Sequence, residues 1–156
     1  MPRLRIGIVD TTFSRVDMAR YVIDELRKLA PSAEIIRTTV PGIKDIPGAL
    51  KRMIDRENPD GLIALGWVGP KDIDKLSYVA ASIGIMLVSI ITGKIIIDVT
   101  VHEDEAADPR ELRKIAEDRA RKHTRNLIYM LVDPNNLTKF AGMGLRQGGP
   151  DVGPIA

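Results

Sequence analysis

Apolar positions along this chain change period repeatedly, and the changes lay out its elements. Residues 4–9 and 34–40 are β-branched and apolar, as strands are. Between them, residues 15–29 put Val16, Ala19, Val22, Ile23, Leu26 and Leu29 on one helical face, and Pro31 ends the run. From Ile46 the spacing is helical again, through Leu50, Met53 and Ile54. Asn58-Pro59-Asp60-Gly61 is a turn, 62–65 a short apolar third strand, and 66–70 a loop. A helix is expected over 72–91, stopped by Gly93, and a fourth strand over 95–101. Asp108-Pro109-Arg110-Glu111 supplies a cap, a first-turn proline and a capping-box glutamate for a last helix running to about residue 131.

Strands alternating with helices of this length make an α/β protein: a parallel sheet covered on both faces. Right-handed crossovers bring the strand ends at 10–13, 40–45, 66–70 and 100–105 to one edge. The second of these loops, V-P-G-I-K-D-I-P-G, is the most pointed. Pro41 and Gly42 force a sharp exit from the strand, Asp45 caps the following helix, and the amides of 42–45 are left to face a ligand. The chain reads as one domain, 1–156, whose Gly- and Pro-rich segment 141–156 packs on a neighbouring subunit. The helix over 76–91 is apolar nearly all round, more than a four-stranded sheet can cover, so a homo-oligomer is expected.

Composition narrows the chemistry. With no cysteine, disulfides, thiolate catalysis and thiolate metal sites are excluded. The net charge of +2 comes from interspersed charges, so no nucleic-acid partner is expected, and the one long apolar run, 76–91, is too short and too rich in serine for a membrane span. The segment 119–125 is basic, but Glu111, Glu117 and Asp118 sit among its turns, which predicts a solvated face laced with salt bridges. The first strand begins at once, with no leader before it, so the expected location is cytoplasmic. Absent cysteine, a single glutamine and abundant isoleucine lean toward a thermophile.

Two nucleotide cradles, G-x-x-x-x-G-K-[ST] and G-x-G-x-x-G, are missing. A receiver domain would need an aspartate ending strand three, where Gly66-Trp67 stands. His102-Glu103-Asp104-Glu105 lacks the second histidine of a zinc protease, and in extended chain at most two of the four can meet one ligand. No resident metal or other cofactor is expected, leaving magnesium as an activator held loosely by carboxylates. His102 at a strand end is a candidate for proton transfer, whereas His123, on the apolar side of its helix, reads as a packing residue. Phe13, beside Thr11 and Thr12, and Trp67, beside Val68, are strand-end aromatics able to stack on a planar heterocycle.

Four motifs resemble the archaeal type of riboflavin synthase: G-I-V-D-T-T-F-S-R-V-D-M-A (7–19), T-V-P-G-I-K-D-I-P (39–47), V-H-E-D-E-A (101–106) and A-G-M-G-L-R-Q-G (141–148). The resemblance implies the lumazine synthase-like fold, a three-layer α/β/α arrangement with a four-stranded parallel sheet in flavodoxin-like order. It implies a dismutation of 6,7-dimethyl-8-ribityllumazine to riboflavin and 5-amino-6-ribitylamino-uracil, at sites between subunits of a pentamer. Lys44, Lys75 and His102 would handle protons or stabilise the anion formed, with Asp45 accepting from a hydroxyl. Thr11, Thr12, Phe13, Pro41, Gly42, Ile43, Trp67, Val68, Glu103 and Asp104 would bind substrate, and Arg146 and Gln147 would close a neighbour's site. Lumazine synthase itself, which usually has an aromatic and a glutamate at 44 and 45 and a histidine at 75, is the nearest alternative. A non-catalytic flavin- or lumazine-binding module is the other.

Overall fold

The computed structural model describes residues 3–156; positions 1 and 2 of the expected domain lie outside the described residues. Four parallel strands, β1 (Arg5–Thr11), β2 (Glu34–Val40), β3 (Gly61–Val68) and β4 (Ile95–His102), pair in the order β2-β1-β3-β4. Helices α1 (Met18–Leu29) and α4 (Pro109–Val132) cover one face, and α2 (Ile46–Glu57) and α3 (Asp72–Thr92) the other. A short α5 (Pro134–Thr138), not foreseen from the sequence, follows α4.

The strands feed both cores by alternation. Ile63, Leu65 and Trp67 of β3 face α1 and α4, while Leu62 and Ala64 face α2 and α3. All eight residues of β3 are buried, as expected for a parallel strand covered on both sides. This corrects the sequence expectation at one point. β3 extends to Val68 instead of ending at Leu65, so Gly66, Trp67 and Val68 are strand and not loop. Gly66 pairs with Thr100 across the sheet, and its missing side chain makes room for Ile43; a Cβ there would lie 2.9 Å from Ile43 Cδ1. The turn after β2 therefore presses down onto the end of β3.

The basic run of α4 is laced with salt bridges as expected, Arg121 to Glu117 (3.1 Å) and Lys122 to Asp118 (3.0 Å), and some of its cations also reach a neighbouring helix. Arg121 reaches across to Asp24 (2.6 Å) and Glu25 of α1, and Arg125 to Glu25 (2.6 Å), so these ion pairs tie the two helices of one layer together. α3 seats only Ala81 and Ile85 fully in the core. Ile73, Leu76, Val79, Ile83, Met86, Leu87, Ile90 and Ile91 stay roughly half exposed or more, with Ile90 at 76%. It is 21 residues long and contains an 18-residue stretch with a mean hydropathy of 1.7, long and apolar enough to cross a membrane by those measures alone.

Candidate active site

Two concavities flank the first turns of α3, one at the C-terminal edge of the sheet and the other along β4. The smaller, about 250 Å³, is walled by Phe13, Gly42 to Asp45, Asp74 and Ser77, with Trp67 at its floor. A single 3-10 turn, Ile43–Asp45, shapes it. Asp45 does not cap α2 with its side chain. Its Oδ2 accepts from the Gly42 amide (3.0 Å), and the Asp45 amide donates to the Gly42 carbonyl (3.0 Å). Two of the four amides expected to face a ligand are thus taken inside the turn. Across the pocket Thr12 donates from its amide to the Val40 carbonyl (2.9 Å) and from its hydroxyl to the Pro41 carbonyl (3.3 Å), which locks the β1 loop to the β2 turn. Phe13, 51% exposed, stands free at the rim.

The larger concavity, an open groove of about 670 Å³, runs along the free edge of β4 between α3 and α4. Every second residue of β4 points into it: Asp98, Thr100 and His102, opposed by Tyr78 and Ser82 of α3. Asp98 accepts from the hydroxyls of Ser82 (3.0 Å) and Thr100 (2.8 Å), so its carboxylate is already satisfied. At the upper end Lys75 Nζ lies 2.8 Å from Asp104 and 3.3 Å from His102 Nδ1, and Tyr78 packs edge-on against the imidazole, ring centroids 4.9 Å apart.

Because an ammonium can only donate, His102 Nδ1 must accept, and the neutral ring then carries its proton on Nε2. Burial, and next the Lys75 charge, hold the His102 pKa below the ordinary histidine value, against the pull of Glu105 and Asp104. His102 is therefore neutral at pH 7 and offers the groove a hydrogen-bond donor. The Lys75 hydrogen bond keeps Asp104 below the usual carboxylate range. His123 is the opposite tautomer. Its Nδ1–H donates to the Arg119 carbonyl (2.7 Å), and burial lowers its pKa too.

Several residues singled out from the sequence are buried, turned away or only partly engaged. Trp67 is 2% exposed in the α1–α4 core, with its Nε1 unpaired among the described residues, so it cannot stack on a ligand as an exposed aromatic would. Val68 is buried beside His102 in the sheet. Thr11 is buried and accepts from the Ser14 amide (3.2 Å), a turn contact. Glu103 turns to the opposite side of β4 and pairs with Arg15. Arg146 lies in a third depression, against α4 and α5, while Gln147 reaches the groove. The segment 141–156, expected on a neighbour, is largely exposed and meets its own chain at Gly148, which is buried and whose carbonyl accepts from Arg119 (2.7 Å). Asp98, Thr100, Tyr78, Ser82 and Arg119 were missed, although the alternation I-I-I-D-V-T-V-H marks the first two as one polar face of a strand.

Residues 3–134 match the sequence profile of 6,7-dimethyl-8-ribityllumazine synthase. The chain belongs to that family. Within it, the chain is 57% identical over 151 residues to a riboflavin synthase of Aeropyrum pernix, covering 96% of this chain and 97% of that one. It is 52% identical over 152 residues to a riboflavin synthase of Archaeoglobus fulgidus, covering 97% and 99%. A 6,7-dimethyl-8-ribityllumazine synthase of Methylobacillus flagellatus is 36% identical over 122 residues, 73% of this chain and 82% of that one.

Proposed function

We infer that this chain is a riboflavin synthase, a transferase that dismutates two molecules of 6,7-dimethyl-8-ribityllumazine. One donates a four-carbon unit to the other, giving riboflavin and 5-amino-6-ribitylamino-uracil. What carries the reading is likeness over nearly the whole length, tail included, to archaeal riboflavin synthases at 57% and 52% identity. The match to a lumazine synthase is shorter and weaker.

The geometry supports a division of labour. Two identical heterocycles must be held face to face, so much of the acceleration comes from orientation. Phe13 covers a ring, the turn at 42–45 takes its polar edge, and Asp45 Oδ1 is left to accept from a ribityl hydroxyl. The reaction also needs a proton removed from the C7 methyl of one substrate, leaving an anion. His102, neutral and protonated on Nε2, suits stabilisation of that anion by donation better than removal of the proton. Lys75 and Lys44 add positive charge on either side of the first turn of α3.

The pocket of about 250 Å³ falls below the roughly 300–1,000 Å³ of a complete small-molecule site. A wall from a second copy would complete it, and the bare apolar stripe of α3 supplies a surface for that association. A ring of five subunits is the assembly we propose.

The test is incubation with 6,7-dimethyl-8-ribityllumazine alone, in buffer with magnesium, following riboflavin fluorescence against a blank without protein. Riboflavin and the pyrimidine in equal amounts are expected. Lumazine formed only from the pyrimidine plus a four-carbon phosphate would replace this reading with lumazine synthase, and tight binding without turnover would replace it with a binding module.

A further inference from the structure

We propose that Arg119 is a positioning residue that fastens the C-terminal segment to the His102 end of β4, making Gln147 and Gly148 a fixed wall of the groove. The catalytic consequence rests on the riboflavin synthase reading above; the fastening does not.

The Arg119 side chain is 13% exposed and holds two backbone carbonyls and one carboxylate at once. Its Nε donates to the Gly148 carbonyl (2.7 Å) and Nη1 to the Thr100 carbonyl (2.8 Å). Nη1 and Nη2 grip the two oxygens of Glu105, each at 2.7 Å. Glu105 in turn accepts from the His102 amide (2.8 Å). Burial works against this carboxylate, but the Arg119 and His102 hydrogen bonds outweigh it and set its pKa below the ordinary glutamate value. Arg119 thus spends four of the five N–H donors of a guanidinium inside the protein, which leaves it poorly equipped to recognise a substrate anion.

Among the described residues, the Arg119–Gly148 hydrogen bond is the only one joining 144–156 to the rest of the chain. The others there, Arg146 amide to Asp151 (2.9 Å) and Val152 amide to the Gly144 carbonyl (2.9 Å), close the segment on itself. The fit at Gly148 is equally specific. Its φ is +84°, and a Cβ would collide with the His123 ring and lie 3.1 Å from Arg119 Cγ. The glycine lets the carbonyl reach the guanidinium.

The experiment compares Arg119→Lys, Arg119→Ala, Gly148→Ala and the Arg119→Ala/Gly148→Ala double variant with the unsubstituted protein. Hydrogen–deuterium exchange of peptides over 144–152, thermal unfolding and riboflavin formation are measured on each. Lysine keeps the charge but loses the fork. The expected result is exchange at least tenfold faster in that segment for every single variant, with β3 and α1 protection unchanged and kcat reduced. The double variant should be no worse than the more impaired single one, since both cut the same tie. Rescue by lysine, unchanged exchange in 144–152, or additive losses would overturn the proposal. If the unsubstituted protein makes no riboflavin, the function reading falls, and the exchange data still decide the fastening.

Discussion

Trp67 is the sharpest place to separate packing from ligand contact. As a core residue that only floors the pocket, Trp67→Leu should destabilise the fold far more than it weakens substrate binding. Truncating a buried tryptophan to alanine costs about 3–5 kcal/mol. Leucine refills part of that space, and the change also removes an indole N–H that has no partner, a burden of about 1–3 kcal/mol when buried. The net expectation is about 2 kcal/mol of destabilisation, or a Tm lower by roughly 4–8 °C for a chain of this size. The exposed Phe13 should behave in reverse. Phe13→Leu would leave unfolding unchanged and forfeit an aromatic stacking contact of about 0.5–1.5 kcal/mol, a two- to thirteen-fold rise in Kd for the lumazine. Denaturant unfolding and quenching of lumazine fluorescence read the two quantities on the same samples. A Trp67→Leu protein that unfolds like the unsubstituted one yet binds several-fold more weakly would refute the assignment of Trp67 to the core.

His102 should act as a donor. His102→Ala is expected to lower kcat about ten- to hundredfold, the range for a lost hydrogen bond to a charged group, with His102→Gln recovering part through its amide. Glutamine no better than alanine would dismiss donation, and near-normal turnover in His102→Ala would leave orientation carrying the reaction. The two histidines also set an acid limit on stability. Both folded-state pKa values are lowered, so the unfolded chain binds more protons just below its own pKa of about 6.5. Their contribution is complete above that pH and is lost as pH falls from about 6.5 through the folded values. Urea midpoints should therefore drop between pH 7.5 and 5.5, with a smaller drop in a His102→Gln/His123→Asn double variant. An equal drop in that variant would assign the effect to other groups.

Much of this architecture was legible because periodicity reports burial. Each long helix, the parallel sheet and the apolar excess of α3 follow from which positions are apolar. The errors have a common source in contacts between distant residues. Gly66 looks like a breaker in isolation, yet it continues β3 because Ile43, 23 positions earlier, fills the space beside it. Trp67 was assigned to a loop on the strength of that glycine. In H-E-D-E, the 3-10 turn after β4 sends Glu103 toward Arg15 and Glu105 toward Arg119, leaving His102 and Asp104 with Lys75. Which neighbours share a side depended on that turn, and no spacing rule specifies it.

The same reasoning explains why the candidate residues fall into two concavities. The pocket sits over the ends of β1 and β2, whereas the groove lies along β4, whose polar positions Asp98, Thr100 and His102 face α3. α3 stands between the two, with Asp74 and Ser77 on the pocket and Tyr78 and Ser82 on the groove. One chain cannot fold its own groove over its own pocket without moving that helix. A second copy can bring its groove to the pocket, provided α3 becomes a contact surface instead of a solvated one, and its row of bare isoleucines and leucines suits that role. In the assembly proposed above, the tail fastened by Arg119 would matter twice, since it would shape the groove of its own chain and, through it, the site that groove would complete on the next.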